Sequence, residues 1–157
     1  SLHLEEFDLS ELTEMVAEEA QGLAESKAVT LTAEIEPGIL VKADQTLMMR
    51  IWLNLLTNAV KYGRQQGQIW LTLKSDGKNA VGTVRDDGIG ISAAELPKIW
   101  KRFYRVNTAR SSGDDSGTGL GLAMVKWMVE SHGGTVSAVS TLGAGSTFSF
   151  TIPLRPS

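Results

Sequence analysis

Apolar residues recur at helical spacing in three stretches of the chain and alternate with polar ones in several others. Over residues 8–28, Leu9, Leu12, Val16, Ala20 and Leu23 fall three or four apart with glutamates between them. This predicts an amphipathic surface helix capped by Asp8 or Ser10. Residues 29–35 alternate, Pro37 and Gly38 mark a turn, and Ile39, Leu40 and Val41 follow as a short second strand. Together they predict a hairpin at a sheet edge. Asp44 can cap a second helix reaching Tyr62 that is apolar nearly all round, through Leu47, Met48, Ile51, Trp52, Leu53, Leu55, Leu56, Ala59 and Val60. Such a helix should be buried.

Further on, the stretch with Ile69, Leu71 and Leu73 and the stretch with Val81, Thr83 and Val84 predict a hairpin closed by Asp76, Gly77, Lys78 and Asn79. Ser92 and Glu95 have the spacing of a capping box and predict a short helix toward Trp100. Residues 107–118 hold almost nothing apolar and predict a long, mobile loop. A third helix over residues 120–131 ends at Gly133 and Gly134, and strands follow at 135–140 and 147–152. The fold class expected is α+β: a two-layer α/β sandwich whose mixed sheet is covered on one face by helices.

The length, 157 residues, fits one domain. The balance of 15 Lys and Arg against 18 Asp and Glu gives a formal charge of -3, which leaves no basic field for a nucleic-acid backbone. Nucleic acid is therefore not an expected partner. With no cysteine in the sequence, disulfides, thiolate zinc sites and cysteine nucleophiles are excluded. His3 and His132, far apart, argue against a His-rich metal site or a Ser-His-Asp triad. What remains is a site made of Asn, Asp, Gly, Lys and Arg. No apolar run approaches the roughly 18 to 20 residues that span a bilayer. The start at Ser1 without a methionine leads us to expect a piece of a longer protein.

Four groups of residues can carry chemistry. Asn54 and Asn58 stand four apart in the most apolar helix, about 40° from each other around its axis, with Lys61 close to their direction. A structural pair bonded to nearby backbone is one reading. The other is a hard amide oxygen for Mg²⁺, with Lys61 meeting phosphate charge. Second, the run Asp86, Asp87, Gly88, Ile89, Gly90 ends a strand whose alternation turns Asp86 inward with Gly82 and Val84 and Asp87 outward. A solvated turn is the plain alternative. An inward carboxylate beside glycines instead suits adenine, because it accepts from the exocyclic amine where guanine presents an acceptor.

Third, Gly117, Thr118, Gly119, Leu120, Gly121 and Leu122 enter the last helix, where backbone amides and the helix dipole favour polyphosphate. Neither common nucleotide fingerprint fits their spacing, and a flexible connector is the alternative. Fourth, Phe103 and Tyr104 can anchor the polar loop while Arg105 and Arg110 reach a terminal phosphate; the alternative is a solvated basic turn. His132 reads as structural and His3 as part of a frayed terminus.

These motifs occur in the order Asn54-Leu55-Leu56-Thr57-Asn58-Ala59-Val60-Lys61-Tyr62, Asp86-Asp87-Gly88-Ile89-Gly90-Ile91, Arg102-Phe103-Tyr104-Arg105 and Gly117-Thr118-Gly119-Leu120-Gly121-Leu122. In that order they resemble the catalytic, ATP-binding domain of bacterial sensor histidine kinases. His132-Gly133-Gly134 and Gly143-Ala144-Gly145-Ser146-Thr147-Phe148 extend the resemblance, which covers residues 7–153. It implies the Bergerat fold shared with gyrase B, Hsp90 and MutL. One departure is Trp100, where the family usually has Phe, and altered packing is expected there.

The resemblance implies Mg-ATP as ligand, with Asn58 on Mg²⁺, Asn54 supporting the phosphate site, and Lys61 and Tyr62 on the nucleotide. Asp86 matches the adenine-binding aspartate, and Gly88, Gly90 and Ile91 shape its pocket. Gly117, Thr118, Gly119, Leu120, Gly121 and Leu122 match the phosphate-binding run, residues 107–118 the ATP lid, and Arg105 and Arg110 lid-base positions near the γ-phosphate.

Residues 1–7 are expected to end a preceding helical or linker segment, 8–154 to form the catalytic domain, and 155–157 a C-terminal tail. The implied function is transfer of the γ-phosphoryl group of ATP to a histidine on a separate helical dimerisation domain, and thence to a response regulator. The isolated domain is expected to be a monomer and its parent a homodimer. The domain is expected to be cytoplasmic and the parent to be anchored in the bacterial inner membrane. No acceptor histidine is recognisable, since Leu4 follows His3. Two alternatives stand beside this: an anti-sigma-like ATP-binding module, and an ATP-hydrolysing relative of gyrase or Hsp90. The latter carry Glu where Asn54 stands.

Overall fold

The computed structural model describes residues 1–102, 104 and 121–155. Helix α1 (Leu9–Ser26) begins where Asp8 accepts the Glu11 N–H at 3.1 Å, and it buries Leu9, Leu12, Val16, Ala20 and Ala24. Helix α2 (Gln45–Tyr62) is capped in the same way by Asp44, which accepts the Leu47 N–H at 3.1 Å. Both caps satisfy a donor that a helix leaves open in its first turn. Helix α3 (Gly121–Ser131) completes the layer.

Beneath the helices lies a five-stranded sheet in the order β2-β4-β5-β7-β6. Its strands are β2 (Thr30–Ile35), β4 (Gln68–Ser75), β5 (Asn79–Asp86), β6 (Val136–Thr141) and β7 (Gly145–Pro153). The pair β2/β4 is parallel and the other pairs antiparallel, which makes the sheet mixed. Strands β1 (Glu5–Asp8) and β3 (Leu40–Ala43) form a separate antiparallel ribbon.

Three local expectations are corrected. The hairpin expected between residues 29–35 and 39–41 does not form. β2 joins β4 in parallel, and the Glu36 N–H extends that pairing to Leu73 O at 2.9 Å, while β3 pairs with β1 and buries Val41 and Ala43. The turn at Pro37 and Gly38 carries the chain to a different sheet. Residues 5–7, expected in a helical or linker segment, lie in β1. The Ser92 hydroxyl does accept the Glu95 N–H at 3.3 Å, the first half of a capping box, yet only a 3₁₀ turn (Leu96–Lys98) follows. Pro97 removes an amide within it. At the other end, Arg155 of the expected tail is tied down, its N–H to Leu40 O at 3.0 Å and its guanidinium to Glu6 at 3.0 Å.

The core sits between the helices and the inner face of the sheet. Trp52 of α2 meets Phe150 of β7 edge-on, with ring centroids 4.9 Å apart, and its indole N–H donates to the fully buried Thr13 hydroxyl at 2.9 Å. Thr13 in turn donates to Leu9 O at 2.7 Å, so the polar end of the largest core side chain is satisfied inside the layer. Trp100 packs edge-on against Phe148 at 6.0 Å, extending the core toward the segment that follows β5.

Candidate functional site

Strand β5 alternates as expected: Val84 and Asp86 are buried while Asp87 is half-buried. At 4% exposure the Asp86 carboxylate belongs to the interior. β5 is the central strand, and Asp86 stands opposite Ile69 on β4 and Ser146 on β7. Its Oδ1 accepts the Gly88 N–H at 2.8 Å, turning the chain back over the carboxylate.

From there residues 87–91 are held on two sides. On the α2 side, the Ile89 N–H donates to Tyr62 O at 3.2 Å. A Cβ on Gly88 would lie 2.2 Å from that same oxygen, so only glycine permits the approach. On the side of the β6–β7 hairpin, the Gly143 N–H donates to Ile89 O at 2.7 Å and the Ile91 N–H to the Ser140 hydroxyl at 2.7 Å. Gly90 has φ +71 there, and a Cβ on it would lie 2.1 Å from Thr141 O. Asp87, expected to point outward, is half-buried, accepts the Gln68 N–H at 2.9 Å and fixes the start of β4.

Helix α2 brings the second group. Asn54, Asn58 and Lys61 are half-buried and share one flank beside the buried stripe of Met48, Ile51, Trp52, Leu55, Leu56 and Ala59. The helix is therefore not apolar all round: it has an amide-lined flank. Lys61 Nζ lies 5.4 Å from the Tyr62 ring centroid. Because Tyr62 O receives Ile89, the end of this helix and the Asp86 turn form one continuous structure.

Ile91 and Leu122 are half-buried against the core, and Gly121 opens α3. The candidates Arg105, Arg110, Gly117, Thr118, Gly119 and Leu120, the anchor Phe103 and the expected lid lie outside the described residues. Tyr104 is described: its hydroxyl donates to Glu95 at 2.8 Å. Burial first, and the Glu95 contact second, raise its pKa above the usual phenol value.

Sequence reasoning overlooked Ser140, Ser146 and the fastening role of Asp87. Their participation depends on strand order, and alternation within one strand does not reveal which residues face one another across the sheet.

Residues 43–156 match the family described as histidine kinase-, DNA gyrase B-, and HSP90-like ATPase. The chain belongs to this family of ATPase domains. The chain is 38% identical over 149 residues to the sensor histidine kinase TmoS of Ectopseudomonas mendocina, an alignment covering 94% of this chain and 15% of TmoS. Among solved structures it resembles the mycobacterial sensor histidine kinase MprB, with TM-score 0.84, 28% identity and coverage of 98% of this chain and 100% of that one. It also resembles full-length ShkA in complex with AMPPNP, with TM-score 0.85, 29% identity and coverage of 100% of this chain and 32% of that one. The architecture is the α+β sandwich of the Bergerat type. The chain thus spans a minor part of TmoS and of full-length ShkA.

Proposed function

We propose that this chain is the catalytic domain of a two-component sensor kinase, binding Mg-ATP and donating its γ-phosphoryl group to a histidine on a separate helical dimerisation domain. The observation that carries this reading is the fastening of the Asp86 turn to Tyr62, at the end of the helix that bears Asn54, Asn58 and Lys61. A base-recognising carboxylate and a row of hard oxygen and ammonium groups thereby belong to one rigid unit.

The residues present fit a nucleotide. Asp86 offers a buried acceptor to the adenine amine, and the backbone at Gly88 and Gly90 is drawn in where a side chain would block the turn. Ile91 and Leu122 supply apolar surface. Asn58 is assigned to Mg²⁺, Asn54 to the phosphate site, and Lys61 and Tyr62 to the nucleotide. Gly117, Thr118, Gly119, Leu120 and Gly121 are assigned to the polyphosphate, with Arg105 and Arg110 near its end. Among the described residues no cluster of three or more His, Cys, Asp or Glu side chains could hold a metal. Amide oxygens and phosphates suit Mg²⁺ in such a place. Bound Mg-ATP supplies the transferable phosphoryl group and neutralises its charge.

The chain's own groups bind and orient. The Asn54 amide cannot take a proton from water at neutral pH, which disfavours the hydrolytic alternative and leaves the acceptor to come from outside. The parent is proposed to be a homodimer that passes the phosphoryl group to a response regulator, with this domain cytoplasmic and the rest anchored at the inner membrane. Among the described residues no helix is long and apolar enough to cross a membrane.

The test mixes this chain and radiolabelled ATP with the helical domain of its parent, or with that domain lacking its histidine. The expected result is label on the intact helical domain only, slow release of inorganic phosphate by the chain alone, and loss of transfer with Asn58→Ala. Rapid hydrolysis without transfer would favour the ATPase reading. Nucleotide binding with neither reaction would favour the regulatory module.

A further inference from the structure

We propose that Ser140 is a positioning residue for nucleotide binding, holding Gly90 and Ile91 against the sheet so that the turn after Asp86 keeps its shape. The proposal rests on the nucleotide reading above and adds to it a residue from the far edge of the sheet.

Strand register places three polar side chains in one row. Asp86 on β5 pairs with Ser146 on β7, and Ser146 pairs with Ser140 on β6. Directly opposed residues on neighbouring strands share a face, so all three project toward the helices. Asp86 is 4% exposed and Ser146 7%, which makes this a buried polar row ending at the half-buried Ser140.

The Ser140 hydroxyl is fully used. It accepts the Ile91 N–H at 2.7 Å, lies 2.8 Å from the Ser146 hydroxyl, and donates to Gly145 O at 3.0 Å. A hydroxyl has one proton and two lone pairs. With its proton on Gly145 O, Ser140 accepts from both Ile91 and Ser146, and every valence is satisfied. The same oxygen thereby ties the base-recognising turn to the hairpin that connects β6 to β7.

Removal of this hydroxyl has a local consequence. Asp86 stays in the β5 ladder, and the Gly143 N–H still reaches Ile89 O, so the fold has other supports. Ile91 loses its acceptor, and Gly90, in a left-handed conformation against Thr141 O, has no side chain with which to brace itself. The effect should therefore fall on the shape of the turn and on nucleotide affinity more than on global stability.

The experiment uses the whole chain, with Ser140→Ala and the matched pair Ser140→Thr and Ser140→Val, which differ from each other in the hydroxyl. ADP and GDP binding are measured by calorimetry in magnesium buffer, global stability by thermal unfolding, and protection of the Ile91 amide by hydrogen exchange. An orphaned part-buried amide predicts about tenfold weaker ADP binding for the Ala and Val variants. Both should also show a reduced preference for ADP over GDP and faster Ile91 exchange, whereas Thr stays close to wild type in all three. The proposal is overturned if Ala and Val lower the melting temperature but leave ADP affinity within about twofold of wild type, or if Thr behaves as Val does. If Ala and Val fail to fold while Thr folds and binds, the hydroxyl is a support of the whole fold and the positioning role is overturned. Wild-type protein that binds no ADP overturns the nucleotide reading itself, a result distinct from unaltered binding in the variants.

Discussion

The backbone N–H of Asp44 donates to Nε2 of His132 over 3.0 Å, joining the start of α2 to the end of α3 across 88 positions of sequence. The other ring nitrogen, Nδ1, lies 2.7 Å from Met128 O. A carbonyl only accepts, so Nδ1 carries the proton and Nε2 is left to receive Asp44. The histidine beside the two glycines is thus a clamp between two helices that flank the candidate site.

Replacement of His132 by alanine leaves the Asp44 amide without this acceptor and removes the imidazole from between the helices. A loss of about 1–3 kcal/mol is expected from the unsatisfied group alone. Urea unfolding of wild type and His132→Ala checks it. An unchanged midpoint and slope would show that solvent replaces the ring at no cost.

The carboxylate of Asp44 makes stability depend on pH at the acid end. The His3 N–H donates to its Oδ2 at 3.0 Å and is the largest cause of a pKa below the usual carboxylate value. Burial opposes this, while the Leu47 and Thr46 amides add to the lowering. A depressed folded-state pKa contributes stability that is fully present above the unfolded value, about 3.9, and is lost as pH falls through the folded one. Asp76, lowered by the Asn79 and Lys78 amides in the β4–β5 turn, acts in the same window, so a comparison is needed to isolate Asp44. The stability difference between wild type and Asp44→Asn should be constant near neutrality and shrink below about pH 4. Deletion of Ser1, Leu2 and His3 should make that decline smaller, because it brings the folded pKa closer to the unfolded one while the onset stays in place. A difference that does not change with pH in this range would remove Asp44 from the account.

Much of the fold was legible in short-range pattern. Asp44 announced its helix, and Asp8 or Ser10 the first one, because a cap needs only the next three residues, and Asp76 to Asn79 announced its turn for the same reason. The burial of Asp86 followed from alternation along a single strand. What escaped was long-range. The sequence around Pro37 signals a turn but not the strand that the chain will meet, so β2 found β4 and β3 found β1. Residues 5–7 carry little apolar signal of their own and became a strand because β3 needed a partner. Ser92 and Glu95 met the rule for a helix start, but Pro97 limited the outcome to a 3₁₀ turn. In the candidate site, Asn54, Asn58 and Lys61 were readable as one helix face, whereas the contact of Tyr62 with Ile89 and the row from Asp86 to Ser140 exist only once the sheet order is known.

Asp86 itself supports the sharpest expectation about ligand choice. At neutral pH a carboxylate accepts and does not donate, and Gly88 already uses Oδ1 in that way. Adenine presents an amine at its 6-position and guanine a carbonyl oxygen. The first can donate to Asp86, and the second places two acceptors against each other in a buried setting. That mismatch is worth on the order of 2 kcal/mol, or about thirtyfold in affinity. Calorimetry should accordingly find ATP and ADP bound by the chain with clear preference over GTP. In Asp86→Asn, the amide oxygen can keep the Gly88 N–H while its NH₂ turns a donor toward the adenine amine, so ATP affinity should fall by a similar factor and the preference over GTP should shrink. Thermal unfolding of the same variant separates this from loss of the fold. Equal affinity of the wild type for ATP and GTP would remove Asp86 from base recognition and, with it, the orientation of the nucleotide on which the roles proposed for Asn54, Asn58 and Lys61 depend.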